Sequence, residues 1–209
     1  MYPHSECSLL HDDPFQLVVA TALSAQCTDA RVNAVTPRLF RRFPTPAALA
    51  NAPPAEVEEI IHSLGFFRAK TRSIIGLARE LDARFGSEVP RSVDELASLP
   101  GVGRKTANVV LGVAFGLAEG VVVDTHVKRI VYRLGLTRQT DPALVERDLL
   151  PLLPEEERVV FTHRVIDHGR AVCTARKPRC GECGLEEYCP SSTLRVPLPR
   201  ARKAADRPR

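Results

Sequence analysis

Two groups of residues in this 209-residue chain have the types and spacing to do chemistry. The first is Leu99-Pro100-Gly101-Val102-Gly103-Arg104-Lys105-Thr106-Ala107, with Asp124 following Lys105 by nineteen residues. The second is Cys173, Cys180, Cys183 and Cys189, four of the six cysteines, spaced C-x6-C-x2-C-x5-C. Gly101 and Gly103 permit positive φ and close approach to the backbone. A helix opening at Arg104 would then present free N–H groups at its positive end, which suits a phosphate. A plain glycine turn between packed helices accounts for the same residues.

Lys105 falls in the first turn of that helix, where the dipole disfavours a protonated amine. Burial would act in the same direction. Both favour the neutral amine that imine chemistry requires. An exposed or phosphate-binding lysine is the alternative. Asp124 reads locally as the N-cap of the next helix; facing the lysine, it would stabilise positive charge on a sugar and assist proton transfer. In a reducing compartment the four cysteines are metal ligands rather than disulfide partners. Four thiolates serve either an iron–sulfur cluster or zinc, and spacing alone does not separate the two.

The elements that must position these groups read as helices almost throughout, punctuated by Pro and Gly. Asp13-Pro14 opens a helix to about Ser24, and Asp29 begins one that runs towards Phe43 past Pro37. Thr45-Pro46 opens a short helix. Pro54 opens another, with Gly65 as its stop. Phe67–Phe85 is closed by Gly86, and a short helix is capped by Ser92. Arg104–Phe115 ends at Gly116, and Thr125–Leu134 ends at Gly135. Asp141-Pro142 opens the next helix, and Glu155–Cys173 is the last. Val121–Val123 is strand-like in composition but reads as an extended entry into the helix that Asp124 caps. The fold class is all-α.

Composition narrows the function classes. Hydrophobic residues make up 44% of the chain and the net charge is +4, which excludes a disordered or fibrous protein. No apolar run reaches the 18 residues or so of a membrane span, and the first thirteen residues lack the pattern of a secretory signal. The expected compartment is the cytoplasm, with the nucleoid. Residues 170–209 carry ten Lys/Arg against four Asp/Glu, and this basic end suggests a polyanion as partner. A solvated tail is the other reading of Arg195–Arg209.

Leu99–Ala107 with Asn108, then Val123-Asp124-Thr125-His126, then the four-cysteine loop, resemble the endonuclease III family of helix-hairpin-helix DNA glycosylases. Leu23-Ser24-Ala25-Gln26-Cys27-Thr28-Asp29 and Gly181–Cys189 share the resemblance, which covers roughly residues 14–190. It implies two helical domains with a DNA-binding cleft between them. A six-helix barrel domain with the hairpin would span 12–117. An iron–sulfur domain would be built from 1–11 and 118–190, leaving 191–209 as a basic, flexible tail.

The resemblance also implies roles. Lys105 would attack C1′ of a damaged nucleotide and Asp124 would be the catalytic aspartate. The four cysteines would hold a [4Fe–4S] cluster. Gln26 would fill the space facing the orphaned base, with an ordinary exposed amide as the local alternative. Phe66 falls where the family places an apolar wedge; next to Phe67 it also reads as a core aromatic. His126 would help order the site or merely pack. Gly101, Gly103 and Arg104 would meet the DNA backbone, and Arg176, Lys177 and Arg179 would clamp a phosphate or form a solvated basic loop.

The implied activity is a bifunctional DNA N-glycosylase for oxidised pyrimidines with AP lyase chemistry. It would act as a monomer on double-stranded DNA containing damaged pyrimidines or AP sites, with no membrane partner. The alternatives are a non-catalytic DNA-binding metal module and a monofunctional glycosylase of the same superfamily.

Four features depart from the family pattern. A further helix usually precedes the segment matching Phe15 and packs into the cluster domain. Here only Met1–Asp13 precedes it, so either the true start lies upstream or this member lacks that helix, which bears on how the second domain packs. The segment Gly116–Val123 is one residue longer than usual. Cys27 replaces a small residue, and the Arg-rich tail is an extension.

Overall fold

The computed structural model describes residues 2–3, 5, 7–117 and 120–194; most of the Arg-rich tail, 195–209, lies outside them. Ten α-helices and three 3-10 turns form among the described residues, and no strand does. Val121–Val123 forms no regular element and leads into Asp124, whose backbone is extended.

The cap chemistry explains most helix starts. Asp13 accepts the Gln16 N–H at 2.8 Å and opens α1 (Pro14–Leu23). α2 (Asp29–Arg42) runs unbroken through Pro37, and Thr45 caps α3 (Pro46–Ala50). α4 (Pro54–Ile61) stops earlier than the Gly65 signal suggests, in a turn where Leu64 N–H bonds the Ile61 carbonyl. Leu64 is buried, so packing decides that end, and Gly65 is not among the residues at positive φ. α5 (Phe67–Phe85) closes on Gly86 in the left-handed region. α6 (Val93–Ala97) and α7 (Arg104–Phe115) flank the hairpin turn. α8 (Thr125–Arg133), α9 (Pro142–Leu149) and α10 (Glu155–Ala171) complete the set. α10 ends two residues before Cys173, which frees that side chain to join the cysteine loop.

Apolar side chains form two separate cores. The first runs from Leu9 to Leu111 and contains the fully buried Leu17, Leu39, Ile74, Leu77 and Leu96. α5 is its central element, packed on α1, α3 and α4, with α7 packed on α1 and α6. The second joins Val121, Val127, Ile130, Val131, Val145, Leu149 and Val165, with Cys173 packed against it. α7 and α10 touch between the two. Buried area of this kind contributes about 25 cal/mol per Å², so each core stabilises its own half.

The described amino-terminal residues reach both halves, and none of them is helical before Pro14. Leu9 enters the first core, while Ser5 is buried and donates to Asp167 on α10 at 2.7 Å. The Tyr2 hydroxyl lies 3.4 Å from His168 Nδ1. Arg170 on α10 donates to Ser8 Oγ at 3.2 Å and to Asp29 of α2 at 2.9 Å.

Candidate active site and cysteine centre

A concavity of about 410 Å³ lies where the two halves meet. That is within the range of small-molecule sites, so it can take one extruded nucleotide base. Gln26, Lys105 and Asp124 all line it. Phe66, His126, Gly101, Gly103, Arg104 and the cations of the cysteine loop do not.

Lys105 reaches the cavity from the first turn of α7, and Asp124 from the N-cap of α8. Asp124 does hold the local role expected of it: its Oδ1 accepts the Val127 N–H at 2.7 Å. The cap fixes the carboxylate at the helix start while it lines the cavity. Lys105 is exposed, so the burial expected to neutralise its amine is absent from the free protein. It sits at a solvent-open rim rather than in a core. Other charges around the cavity are engaged: Arg170 holds Asp29, and Asp167 accepts from Ser5. Among the described residues no ion pair holds the Lys105 ammonium.

The hairpin uses its glycines differently from each other. Gly101 has φ +78°, and a Cβ there would lie 2.9 Å from Ser73 Cβ on α5. Gly103 is extended, at φ −96°, and a Cβ there would meet nothing within 4 Å. The expectation of positive φ therefore holds at Gly101 and fails at Gly103, because only the first glycine makes the turn. The bare Gly103 leaves the start of α7, which has no side-chain cap, open to a ligand. Arg104 is exposed and pairs with exposed Asp94 at 3.1 Å, a weak tie.

Gln26 and Phe66 share an unusual backbone. Both adopt the left-handed region, at φ 54° and 58°. For a bulky residue this costs about 1–2 kcal/mol, a strain that clusters at functional positions. Phe66 is 72% exposed, which excludes the core-aromatic reading; its neighbour Phe67 is the half-buried one, ring to ring with His62. Gln26 lies in the turn after α1 and Phe66 at the start of α5. Lys70, one turn into α5, donates its backbone N–H to the Phe66 carbonyl at 3.1 Å. Its buried side chain is held below the usual lysine pKa, chiefly by desolvation.

His126 is turned to packing. Its Nδ1 accepts from Arg129 Nη2 at 3.1 Å, and a Cβ on Gly169 of α10 would collide with its ring. Burial lowers its pKa; Arg129, Arg170 and Lys105 add to that and Asp124 opposes it.

The four thiols are free and line one cavity with Arg133 and Glu186. Burial raises the Cys183 thiol, and the other three sulfurs push it the same way, so the four converge. No trio of His, Cys, Asp and Glu among the described residues is placed to hold a single metal ion. Four converging thiolates suit an iron–sulfur cluster and suit zinc as well, so the choice between the two metals rests on the kind of cysteine loop this is. Arg133 Nη1 donates to Cys173 Sγ at 3.2 Å and to the Thr174 carbonyl at 2.8 Å. His168 Nε2 lies 3.6 Å from Cys183 Sγ. Arg176 and Lys177 are exposed on this loop, whereas Arg179 is engaged with the Ala171 carbonyl and Glu182.

Sequence reasoning placed Asn108 in the hairpin motif but gave it no role, and it missed Arg170 and Glu146 as parts of this region. Asn108 lies three residues after Lys105 on one helix face. The Arg170–Asp29 tie joins residues 141 apart and has no sequence signal.

The HhH-GPD superfamily model of base excision DNA repair proteins matches residues 19–155. The iron-sulfur binding domain of endonuclease III matches residues 173–189. Endonuclease III of Synechocystis sp. is 57% identical over 92% of this chain and 88% of its own length. That of Bacillus subtilis is 50% identical over 90% and 86%. A solved structure of a trapped endonuclease III–DNA covalent intermediate superposes with a TM-score of 0.85 at 47% identity, covering 91% of this chain and 90% of the other.

Proposed function

We infer the roles of individual residues from the premise that this chain belongs to the endonuclease III family of helix-hairpin-helix base-excision repair proteins. It is a DNA glycosylase and AP lyase that binds DNA and carries a [4Fe–4S] cluster. The observation that carries the residue assignment is one cavity lined by an unpaired lysine at a helix start and a helix-capping aspartate.

In this reading the target nucleotide leaves the stack and enters the cavity, which costs a few kcal/mol and least for a damaged base. Lys105 Nζ attacks C1′, the base departs with a proton, and nitrogen and sugar form a Schiff base. Loss of a C2′ proton then expels the 3′ phosphate by β-elimination. Asp124 stabilises the positive charge that grows on the sugar and serves the proton transfers. The exposed amine becomes desolvated when the duplex closes over the cavity.

Gln26 and Phe66 enter the space vacated by the nucleotide; both are exposed side chains on strained backbone. Gly101, Gly103 and Arg104 hold the backbone, and Arg176 and Lys177 add phosphate contacts. His126 acts by packing α8 on α10. Cys173, Cys180, Cys183 and Cys189 hold the cluster. When bound it supplies iron–thiolate bonds that pin the 173–189 loop. The first core and hairpin, within residues 12–117, form one domain and residues 120–190 the other; of the residues before 12, Ser5 reaches the second while Leu9 packs into the first. The lesions are oxidised pyrimidines, and the protein works as a monomer at the nucleoid.

Borohydride trapping on a duplex with a single AP site tests the assignment. Wild type gives a covalent band and Lys105→Ala gives none while keeping its DNA affinity. A band that persists in the variant refutes the role of Lys105. Release of an oxidised pyrimidine from duplex DNA checks the lesion class, and its absence from a trapping-competent enzyme refutes that part.

A further inference from the structure

Lys105 and Asp124 belong to consecutive helices, and a third helix grips the linker at Val121, just before Asp124. Glu146, on α9, reaches across and accepts the Val121 N–H at 3.0 Å through Oε1. Val121 is buried, three residues before Asp124, so its N–H has lost water and needs this acceptor. Gly120 lies directly beneath the carboxylate. A Cβ there would overlap Glu146 Oε1 and lie 3.2 Å from Nδ2 of Asn108, which belongs to α7. Asn108 and Gly120 both line the cavity that Lys105 and Asp124 share. The Glu146 carboxylate thus sits among α9, the linker and the nucleophile's own helix. Neighbouring Val145 and Leu149 are fully buried in the second core, which holds the base of this side chain firmly.

We propose that Glu146 is a positioning residue for the lyase reaction: by holding Gly120-Val121 against α7 it sets the distance between Lys105 and Asp124. It touches neither substrate nor the reacting atoms. Its effect passes through the linker to the start of α8. The missing side chain at Gly120 is what allows the carboxylate to approach. The role rests on the assignment of Lys105 and Asp124 above.

Single-turnover AP lyase rates at saturating DNA, and affinity for a duplex carrying an uncleavable tetrahydrofuran AP analogue, test it. Wild-type trapping run alongside reports on the Lys105 assignment itself, so failure of that assignment is seen separately. Glu146→Ala should lower the rate about tenfold while affinity stays within about twofold, the pattern of a lost transition-state arrangement. Glu146→Gln keeps a carbonyl acceptor and should recover most of the rate. Gly120→Ala should reproduce the loss by displacing the carboxylate, and in the double variant with Glu146→Ala it should add little. If Glu146→Ala fails to fold, Glu146→Gln and Gly120→Ala carry the test: the first keeps an acceptor for the Val121 N–H, and in the second only the flexible end of Glu146 has to give way. A wild-type rate in Glu146→Ala or Gly120→Ala overturns the proposal. So does a fall in rate and affinity together without rescue by Gln, or additivity in the double variant.

Discussion

Asp124 accepts the Val127 N–H at 2.7 Å and lines the same cavity as Lys105. One side chain therefore starts a helix and faces the lysine, and the two duties can be separated. Asn caps as well as Asp, whereas Ala loses the cap at about 1 kcal/mol. Asp124→Asn should leave the unfolding midpoint nearly unchanged and lower the glycosylase rate by about 100-fold or more, as expected when a general acid–base group is lost. Asp124→Ala should lose both. Urea denaturation and single-turnover kinetics check this; a normal rate in Asp124→Asn removes the carboxylate from the chemistry.

Phe66 combines a left-handed backbone with 72% exposure. Phe66→Gly should raise stability by about 1 kcal/mol, because it relieves the backbone strain and loses little buried area. The same change should weaken binding to AP-analogue DNA. Equal affinity in wild type and variant would show Phe66 to be an incidental surface residue.

Lys70 is 8% exposed and its ammonium has no hydrogen-bond partner among the described residues. Lys70→Met should raise the thermal midpoint, since removing an unsatisfied buried polar group recovers about 1–3 kcal/mol. A fall in midpoint would mean that the ammonium does find acceptors.

His126 has a folded pKa below its ordinary value, chiefly through burial, with Arg129, Arg170 and Lys105 as facing cations and Asp124 as the facing acid. On acidification the unfolded chain binds the proton first. The stability that His126 contributes is full above the unfolded pKa of about 6.5 and declines as pH falls towards the folded value. His126→Gln should flatten that part of the stability–pH curve; an unchanged slope would place the titration elsewhere.

Arg176 and Lys177 are exposed, whereas Arg179 is tied to the Ala171 carbonyl and Glu182. Neutralising Arg176 or Lys177 should each reduce the slope of log affinity against log salt by about 0.9, the value for one phosphate contact. Arg179→Ala should instead loosen the cysteine loop, read as faster loss of cluster absorbance. An unchanged salt slope in the first two variants removes this loop from the DNA interface.

Much of the fold was legible because its signals are local. Asp13, Thr45, Ser92, Asp124 and Asp141 each accept from a backbone N–H of the helix they precede. Gly86, Gly116 and Gly135 stand at positive φ where helices were expected to stop. The reading slipped where packing outweighed local chemistry. Burial of Leu64 ends α4 before Gly65, and the last helix stops short of Cys173 so that the thiol can turn to its partners.

By itself the sequence determined the helical class, the hairpin, the spacing of the cysteines and the family to which they belong. These follow from short-range rules, capping, φ preference and donor type, that act within one turn or loop. Tertiary structure alone decided that Lys105 is exposed, that Phe66 points outward while Phe67 is half-buried, and that Gly103 is extended. It alone placed Glu146 on the linker and Arg170 against Asp29. Exposure and long-range hydrogen bonds depend on which helices pack together, and no local pattern of residues records that.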